Sequence, residues 1–427
     1  MSPPPACAIR GLPPRHVTPR APRAARGGFL PLATWVEVDL DQLDANLDAL
    51  SQRIGPERRI LLVVKADAYG HGAIEVARSA AGRGVRDFGV ATLHEGMQLR
   101  LSGLAENIWV LSPLLESEIP EAVAHRLEPT LPSLDFARRL SAQSLHAGRA
   151  TRVHVEIDTG MGRTGIDPDD ALPFLQEVTA LEGLRLGSVY THFPDADGED
   201  TAFTLAQWDA FRALMGGLAT HGIHPPLVHA ANSAGVLRFP ETLGDLVRPG
   251  LAAYGLYPPN ANGLGIHPVM TFKSRLVQIR PMPAGRSISY ARTFTTRRPS
   301  VIGVVPAGYG HGYSWLCSNR GAMLVGGRRA PVVGRVTMDL TMIDLSDHPG
   351  ARVGDEVVLF GAQDEARLPV EEVAAWSDTL SYEILCTIGK RVTRIYMRQG
   401  RPVKVLTLLG ERGTDGFKPL ESEPARK

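Results

Sequence analysis

The 427 residues hold 46 lysines and arginines against 45 acids, a net charge of +1, with 44% hydrophobic and 21% charged residues. That balance excludes a general electrostatic pull toward nucleic acid or anionic membrane, and no apolar run is long enough to span a bilayer. Cys7, Cys317 and Cys386 are too scattered for a disulfide framework or a metal cluster, and they suit a reducing compartment.

Residues 1–33 are rich in Pro, Ala and Arg and hold no acid. They cannot bury enough surface to offset the entropy of ordering, so they read as a disordered tail. The hydrophobic stretch of a secretion signal is missing; arginine without acid also suits a transit peptide, though serine is sparse, so an overlong start or a simple extension ranks above targeting. Residues 34–40 alternate apolar and polar as a strand, and Asp41 is placed to cap a helix through Leu50. Short apolar strands then recur at 60–64, 87–91, 107–111, 128–131, 152–157, 185–191, 227–230 and 245–251. Most gaps between them have room for a crossover helix. Eight such units predict a closed (β/α)8 barrel over 34–270, whose leading strand is free to join a second domain. An open doubly wound sheet is the alternative.

Past Met270 the pattern changes to short runs at 270–279, 301–305, 322–325, 330–336, 342–345 and 356–360, broken by Gly, Pro and Asp. Helical pattern survives only around 369–380. Residues 271–410 therefore read as a mostly β domain, and 411–427 as a polar, fraying tail.

The chemistry centres on Lys65, which directly follows the buried run Ile60 to Val64 and precedes the glycine turn at Gly70 and Gly72. A strongly hydrated ammonium at that place is either a lysine snorkelling from a strand end or one held partly dry, its pKa lowered for Schiff-base or proton chemistry. The segment Val-Val-Lys-Ala-Asp-Ala-Tyr-Gly-His-Gly-Ala resembles the pyridoxal phosphate lysine segment of the alanine racemase family, and further matches extend the resemblance from about Trp35 to about Tyr396.

The resemblance implies a pyridoxal 5'-phosphate enzyme that racemises an amino acid by two-base proton transfer at Cα. Lys65 would carry the cofactor and serve one face. Tyr290, in Ser289-Tyr290-Ala291-Arg292, would serve the other from a partner subunit, so a homodimer is implied. Arg163, in the glycine-rich loop after the fifth barrel strand, falls on the residue that clamps the substrate carboxylate. Relatives place a carbamylated lysine where this chain has Glu156; a glutamate is a fixed anion, expected to orient Arg163 in its stead. His192 matches the histidine beside the pyridine ring. Arg248 matches the arginine at the ring nitrogen; being permanently protonated, it disfavours a pyridinium and with it decarboxylation or transamination. Ser233, Gly250 and Leu251 follow strands seven and eight, the usual phosphate site of such barrels, and Tyr69 and Tyr382 match phosphate-touching tyrosines. Tyr309 and Asp339 would shape the substrate entrance, and the Met338 backbone N–H would meet the carboxylate. In the entrance loop His311 replaces the usual aspartate. Cys317 and Cys386 are expected to be structural.

Alanine is the expected substrate, supplying D-alanine for peptidoglycan in a bacterial cytoplasm. The alternatives are a serine or broad-specificity racemase, a barrel-type decarboxylase and a non-catalytic carrier of the cofactor.

Overall fold

The computed structural model describes residues 32–412. The predicted tails, apart from residues 32–33 and 411–412, lie outside that range. The chain opens with β1 (Thr34–Asp39) and a helix, Leu40–Ile54. The cap of that helix is Asp39 rather than Asp41: its carboxylate accepts the N–H groups of Asp41 and Gln42, each at 3.0 Å. The helix also runs past Leu50, because Leu47, Leu50 and Ile54 continue its buried stripe until Gly55 ends it with φ +84°.

Eight short strands follow: β2 (Arg59–Val63), β3 (Asp87–Val90), β4 (Asn107–Val110), β5 (Glu128–Pro129), β6 (Thr151–Glu156), β7 (Leu184–Tyr190), β8 (Val228–His229) and β9 (Leu246–Val247). All are parallel to their neighbours, and helices such as Ala73–Gly82, Leu134–His146 and Thr201–Thr220 cross between them. Leu61, Leu62, Phe88, Ile108, Val110, Val153 and Val155 are wholly buried. Strands apolar on both faces need cover on both, which a helix-ringed barrel provides. Two bridges, Thr130 with His154 and Asn232 with Arg248, join the sheet segments, and β9 pairs back onto β2. The sheet therefore has no edge, which removes the open doubly wound alternative.

The second half is mostly β: β10 (Met270–Arg275), β11 (Gln278–Met282), β12 (Ser287–Ile288), β13 (Phe294–Thr295), β14 (Ser300–Val305), β15 (Ala322–Val325), β16 (Arg328–Pro331), β17 (Thr341–Asp344), β18 (Glu356–Gln363), β19 (Ala366–Leu368), β20 (Thr393–Arg398), β21 (Arg401–Thr407) and β22 (Gly410–Arg412). A nine-stranded sheet runs β16-β15-β18-β10-β1-β20-β21-β22, with β19 on β18. A three-stranded sheet runs β11-β14-β17. The apolar run 270–279 is thus two strands in different sheets, turning at buried Leu276. Residues 330–336 hold only the end of β16, which stops at Pro331, and Gly334 then turns the chain with φ +79°. Residues 411 and 412, placed by the sequence in the fraying tail, instead pair with β21. The leading strand β1 belongs to this domain, between β10 and β20.

Candidate active site

Lys65 starts a left-handed turn. Ala66, Asp67, Ala68 and Tyr69 all have φ between 52° and 55°, and Ala68 N–H and Gly70 N–H close it onto Val64 and Ala66 carbonyls. A left-handed turn of non-glycine residues costs roughly 1–2 kcal/mol per residue, so surrounding bonds must impose it. They do. Glu95 Oε1 accepts Ala66 N–H at 2.7 Å, Asp67 Oδ1 accepts Ala73 N–H at 2.9 Å, and Arg394 Nε donates to Gly70 O at 2.9 Å. His71 Nδ1 reaches the carbonyls of Ala68 and Tyr69 at 2.9 and 3.0 Å. Sequence reasoning missed Glu95, Arg394 and the turn itself. The Thr92–Glu95 capping box was readable as a helix start, but not the second grip of Glu95 on the lysine segment.

A cavity of about 540 Å³ opens at the carboxyl ends of the barrel strands. Lys65, Tyr69, Glu156, Arg163, His192, Ser233, Arg248, Gly250, Leu251 and Tyr382 all line it. Burial, and after it the neighbouring Arg163 cation, pushes the Lys65 pKa down. Neither Lys65 nor Arg163 has a hydrogen-bond or ion-pair partner among the described residues, so two side-chain cations face one cavity with Glu156 near but unpaired to either. That arrangement calls for an anionic ligand.

Arg163 rides on a loop wound round Asp158. The fold brings Glu156 to this cavity at 3% exposure, but its carboxylate accepts Thr164 Oγ1 at 2.7 Å and no ion pair joins it to Arg163. The direct contact expected between them is replaced by contact with the residue next to Arg163. Burial raises the Glu156 pKa, while the Thr164 bond and the Arg248 and Arg163 cations oppose the rise.

Arg248 is 5% exposed, and both its terminal nitrogens have acceptors while Nε has none among the described residues. It donates to Thr191 O at 2.8 Å, Ala230 O at 2.9 Å and His192 Nδ1 at 3.0 Å, to His229 Nδ1, and lies over the Tyr190 ring. Burial lowers its pKa to about 10, still well above neutral. His192 has its pKa well below the usual value through burial and the Arg248 charge, so it is neutral.

Ser233 Oγ accepts the N–H groups of Gly250 and Ala252 at 3.0 and 3.2 Å, leaving its own proton free to donate. Gly250 N–H, expected to be open, is therefore occupied, whereas Leu251 N–H has no partner among the described residues. A Cβ on Gly250 would lie 2.5 Å from Tyr69 Oη. The backbone here must come close, as it does where it cradles a compact anion. Tyr69 and Tyr382 stand with ring centroids 6.0 Å apart. A serine hydroxyl, a free N–H, two phenols and an unneutralised lysine fit a phosphate-bearing aldehyde, so the donor set suits pyridoxal phosphate.

Cys386 is exposed and lines this cavity, one helical turn from Tyr382, whereas Cys317 is buried.

The remaining expected residues lie elsewhere in the chain. Tyr290 is 74% exposed and borders a separate groove with Thr337 and Leu340 on the β domain. Ser289, Ala291 and Arg292 around it all have positive φ, a second cluster of strain. The Tyr309 and Met338 segments are zipped together by Tyr309 N–H on Thr337 O and Gly310 N–H on Met338 O, and Asp339 pairs with Arg391 at 2.7 Å. His311 closes its own loop by accepting Gly308 N–H at 3.3 Å. Within one chain none of these lines the Lys65 cavity.

Residues 38–258 match the family model of the alanine racemase N-terminal domain and 269–396 that of its C-terminal domain. The chain is 40% identical over 365 residues to the alanine racemase of Halothermothrix orenii, covering 85% of this chain and 96% of that protein. It is 41% identical over 367 residues to that of Desulforamulus reducens, covering 85% and 98%. Among solved structures it resembles the alanine racemase of Clostridium difficile 630, with a TM-score of 0.85 and 31% identity over 89% of this chain and 100% of that one. It also resembles that of Bacillus anthracis with bound L-Ala-P, with a TM-score of 0.83 and 34% identity over 88% and 98%.

Proposed function

We propose, from the premise that this chain belongs to the alanine racemase family, that it interconverts L- and D-alanine with pyridoxal 5'-phosphate as cofactor. The observation that carries this reading is the pair of cations without ion-pair partners among the described residues, Lys65 and Arg163, in one cavity with Ser233, Leu251 and Arg248. Lys65 would hold the cofactor covalently; Ser233, Leu251, Tyr69 and Tyr382 would hold its phosphate, and Arg248, with His192 bonded to it, its ring nitrogen. When bound, the cofactor supplies an electron-withdrawing ring linked to the substrate amine, which acidifies the Cα–H.

The protein's own residues then do the following. Arg163 binds the substrate carboxylate, and Glu156, through Thr164 and through its charge, steadies that loop. Lys65, already biased toward the neutral amine, takes up or returns the proton on one face of Cα. Arg248 cannot accept a proton, which keeps charge near Cα and favours its return there over loss of carbon dioxide. Tyr290 moves the proton on the other face. Because it stands exposed beyond the Lys65 cavity of its own chain, a second copy must bring it there, together with Tyr309, Met338 and Asp339 at the entrance. The working enzyme is then a homodimer. D-alanine supply to peptidoglycan in the cytoplasm is the biological role that follows from this reading. No helix among the described residues is long and apolar enough to cross a membrane.

The test is solvent deuterium exchange at Cα: purified protein, added cofactor and a panel of L-amino acids in D2O, with chirality followed in parallel. Deuteration with inversion of alanine alone supports the reading. Inversion across the panel makes it a broad-specificity racemase, and carbon dioxide release without inversion overturns it.

A further inference from the structure

Arg248 is the start of a line of buried groups that crosses the barrel. Its Nη1 meets His229 Nδ1; His229 Nε2 lies 3.2 Å from Ser188 Oγ; Ser188 Oγ lies 2.8 Å from His154 Nδ1; His154 Nε2 lies 3.1 Å from Glu128 Oε2. The five residues come from or directly follow β9, β8, β7, β6 and β5, one per strand, and run from the carboxyl end of the barrel to Glu128, the first residue of β5. Ser188, His154 and His229 are wholly buried.

The two ends fix every proton between them. A guanidinium only donates, so His229 Nδ1 accepts and, in a neutral ring, Nε2 carries the hydrogen. That hydrogen points to Ser188 Oγ. A carboxylate only accepts, so His154 Nε2 donates to Glu128 and His154 Nδ1 accepts. The Ser188 hydroxyl proton must then go to His154. Reasoned from either end the directions agree, and all four bonds point the same way, from cation to anion. Burial holds both histidines in the neutral form this requires, with pKa values below the usual histidine range. Trp109 stacks on the His154 ring at 3.6 Å and shields it, and Arg152, 4.0 Å from Glu128, keeps an opposite charge beside the terminal acid.

We infer that Glu128, His154 and Ser188 are positioning residues for Arg248: through His229 they hold it as a donor on this side, so that its charge and orientation toward the cofactor ring are set from the far end of the barrel. This rests on the proposed placing of the ring nitrogen against Arg248. Hydrogen bonds in such a chain polarise one another, so a cut in the middle is felt at its end.

The experiment combines ¹⁵N-histidine NMR on the wild-type holoenzyme with two variants, Ser188→Ala, which cuts the chain, and Glu128→Gln, which keeps an acceptor but removes the charge and permits reversed bonds. Ser144→Ala, which deletes the equally buried hydroxyl that bonds Thr151 outside the chain, controls for packing. The expected result is neutral His229 and His154 with the proton on Nε2 in wild type. In both variants the absorption band of bound cofactor should shift, with a roughly tenfold fall in kcat at little-changed alanine KM. Turnovers before stalling by transamination should fall as well, while Ser144→Ala matches wild type. A charged or Nδ1-protonated His229 overturns the inference without need of a variant, and so do variants with wild-type spectrum and kcat. Wild type that fails to racemise alanine defeats the functional reading instead, and leaves the NMR result to judge the chain.

Discussion

Both oxygens of the Asp158 carboxylate take the Gly162 N–H, at 3.1 and 2.9 Å, and Oδ1 also takes those of Gly160 and Met161 at 2.9 and 2.7 Å. One anion thus coils the loop that ends in Arg163, and these bonds outweigh burial to hold the Asp158 pKa below the ordinary carboxylate value. Charge-assisted bonds of this kind contribute about 1.5–3 kcal/mol each. Asp158→Asn should therefore loosen Arg163 and raise the alanine KM about tenfold with kcat nearly kept; steady-state kinetics that show kcat falling at unchanged KM would refute it.

Glu156→Gln keeps a partner for Thr164 but removes the buried charge near Arg163 and Arg248. The alanine KM should rise by roughly three- to tenfold, and Thr164→Val should reproduce part of that rise. An unchanged KM in Glu156→Gln would sink the idea that this carboxylate steadies Arg163.

Lys65 should react ahead of Lys273 and Lys404 in the cofactor-free protein. Its pKa is pushed down by burial, whereas those of Lys273 and Lys404 are raised overall by their glutamate partners despite burial. A lowered pKa gives a larger neutral fraction at any pH below it. Brief acetylation at mildly alkaline pH followed by peptide mapping should mark Lys65 ahead of those two, and pyridoxal phosphate should protect it. Equal labelling of all three would contradict the assignment.

His71 is 1% exposed, and burial lowers its pKa from 6.5 to about 4. The unfolded chain takes up this proton first as pH falls, so the contribution is complete above about pH 6.5 and is lost progressively toward about pH 4. The loss from this one group is about 3 kcal/mol. Urea midpoints measured across that range should fall with pH, and His71→Gln should flatten the fall even if it lowers stability at neutral pH. Parallel slopes for the two proteins would exclude His71 as a source.

Gly72 has φ +95°, and a Cβ there would lie 1.9 Å from Tyr396 Oη. Gly72→Ala should cost about 3 kcal/mol or more and weaken cofactor binding, because the added Cβ would displace the strained turn after Lys65 from Tyr396. Thermal unfolding with and without cofactor checks both; a variant as stable as wild type would show that Tyr396 can yield.

The barrel was legible because parallel strands covered on both faces are continuous apolar runs, as Ile60 to Val64 is. Lys65 was legible as a polar residue directly after such a run, whereas Arg163, Arg248 and Ser233 were legible through the family resemblance of the segments around them. What alternation cannot convey is a partner: Trp35, Val36 and Val38 announce a strand but not its place between β10 and β20. Arg394, Tyr396 and Arg398 put polar groups on faces buried between domains, so β20 escaped the hydrophobic pattern. The left-handed turn of Ala66 to Tyr69 was hidden because alanine has no preference for it; Glu95 and Arg394 impose it from distant positions, with Asp67 bonding from within the turn. The line from Arg248 to Glu128 was hidden for the same reason, since its members are spread over five strands.

The placing of β1 also constrains how the molecule is made. As the ribosome delivers the chain, all eight barrel strands emerge before β10, and β20 comes later still. Until then β1 presents two bare edges to its surroundings. The strand synthesised first is locked only by one of the last, so a nascent chain halted after the barrel is a natural client for chaperones. A circular permutant joining β20 to β1 through a linker and opening elsewhere would bring these two neighbours together early and should gain refolding yield.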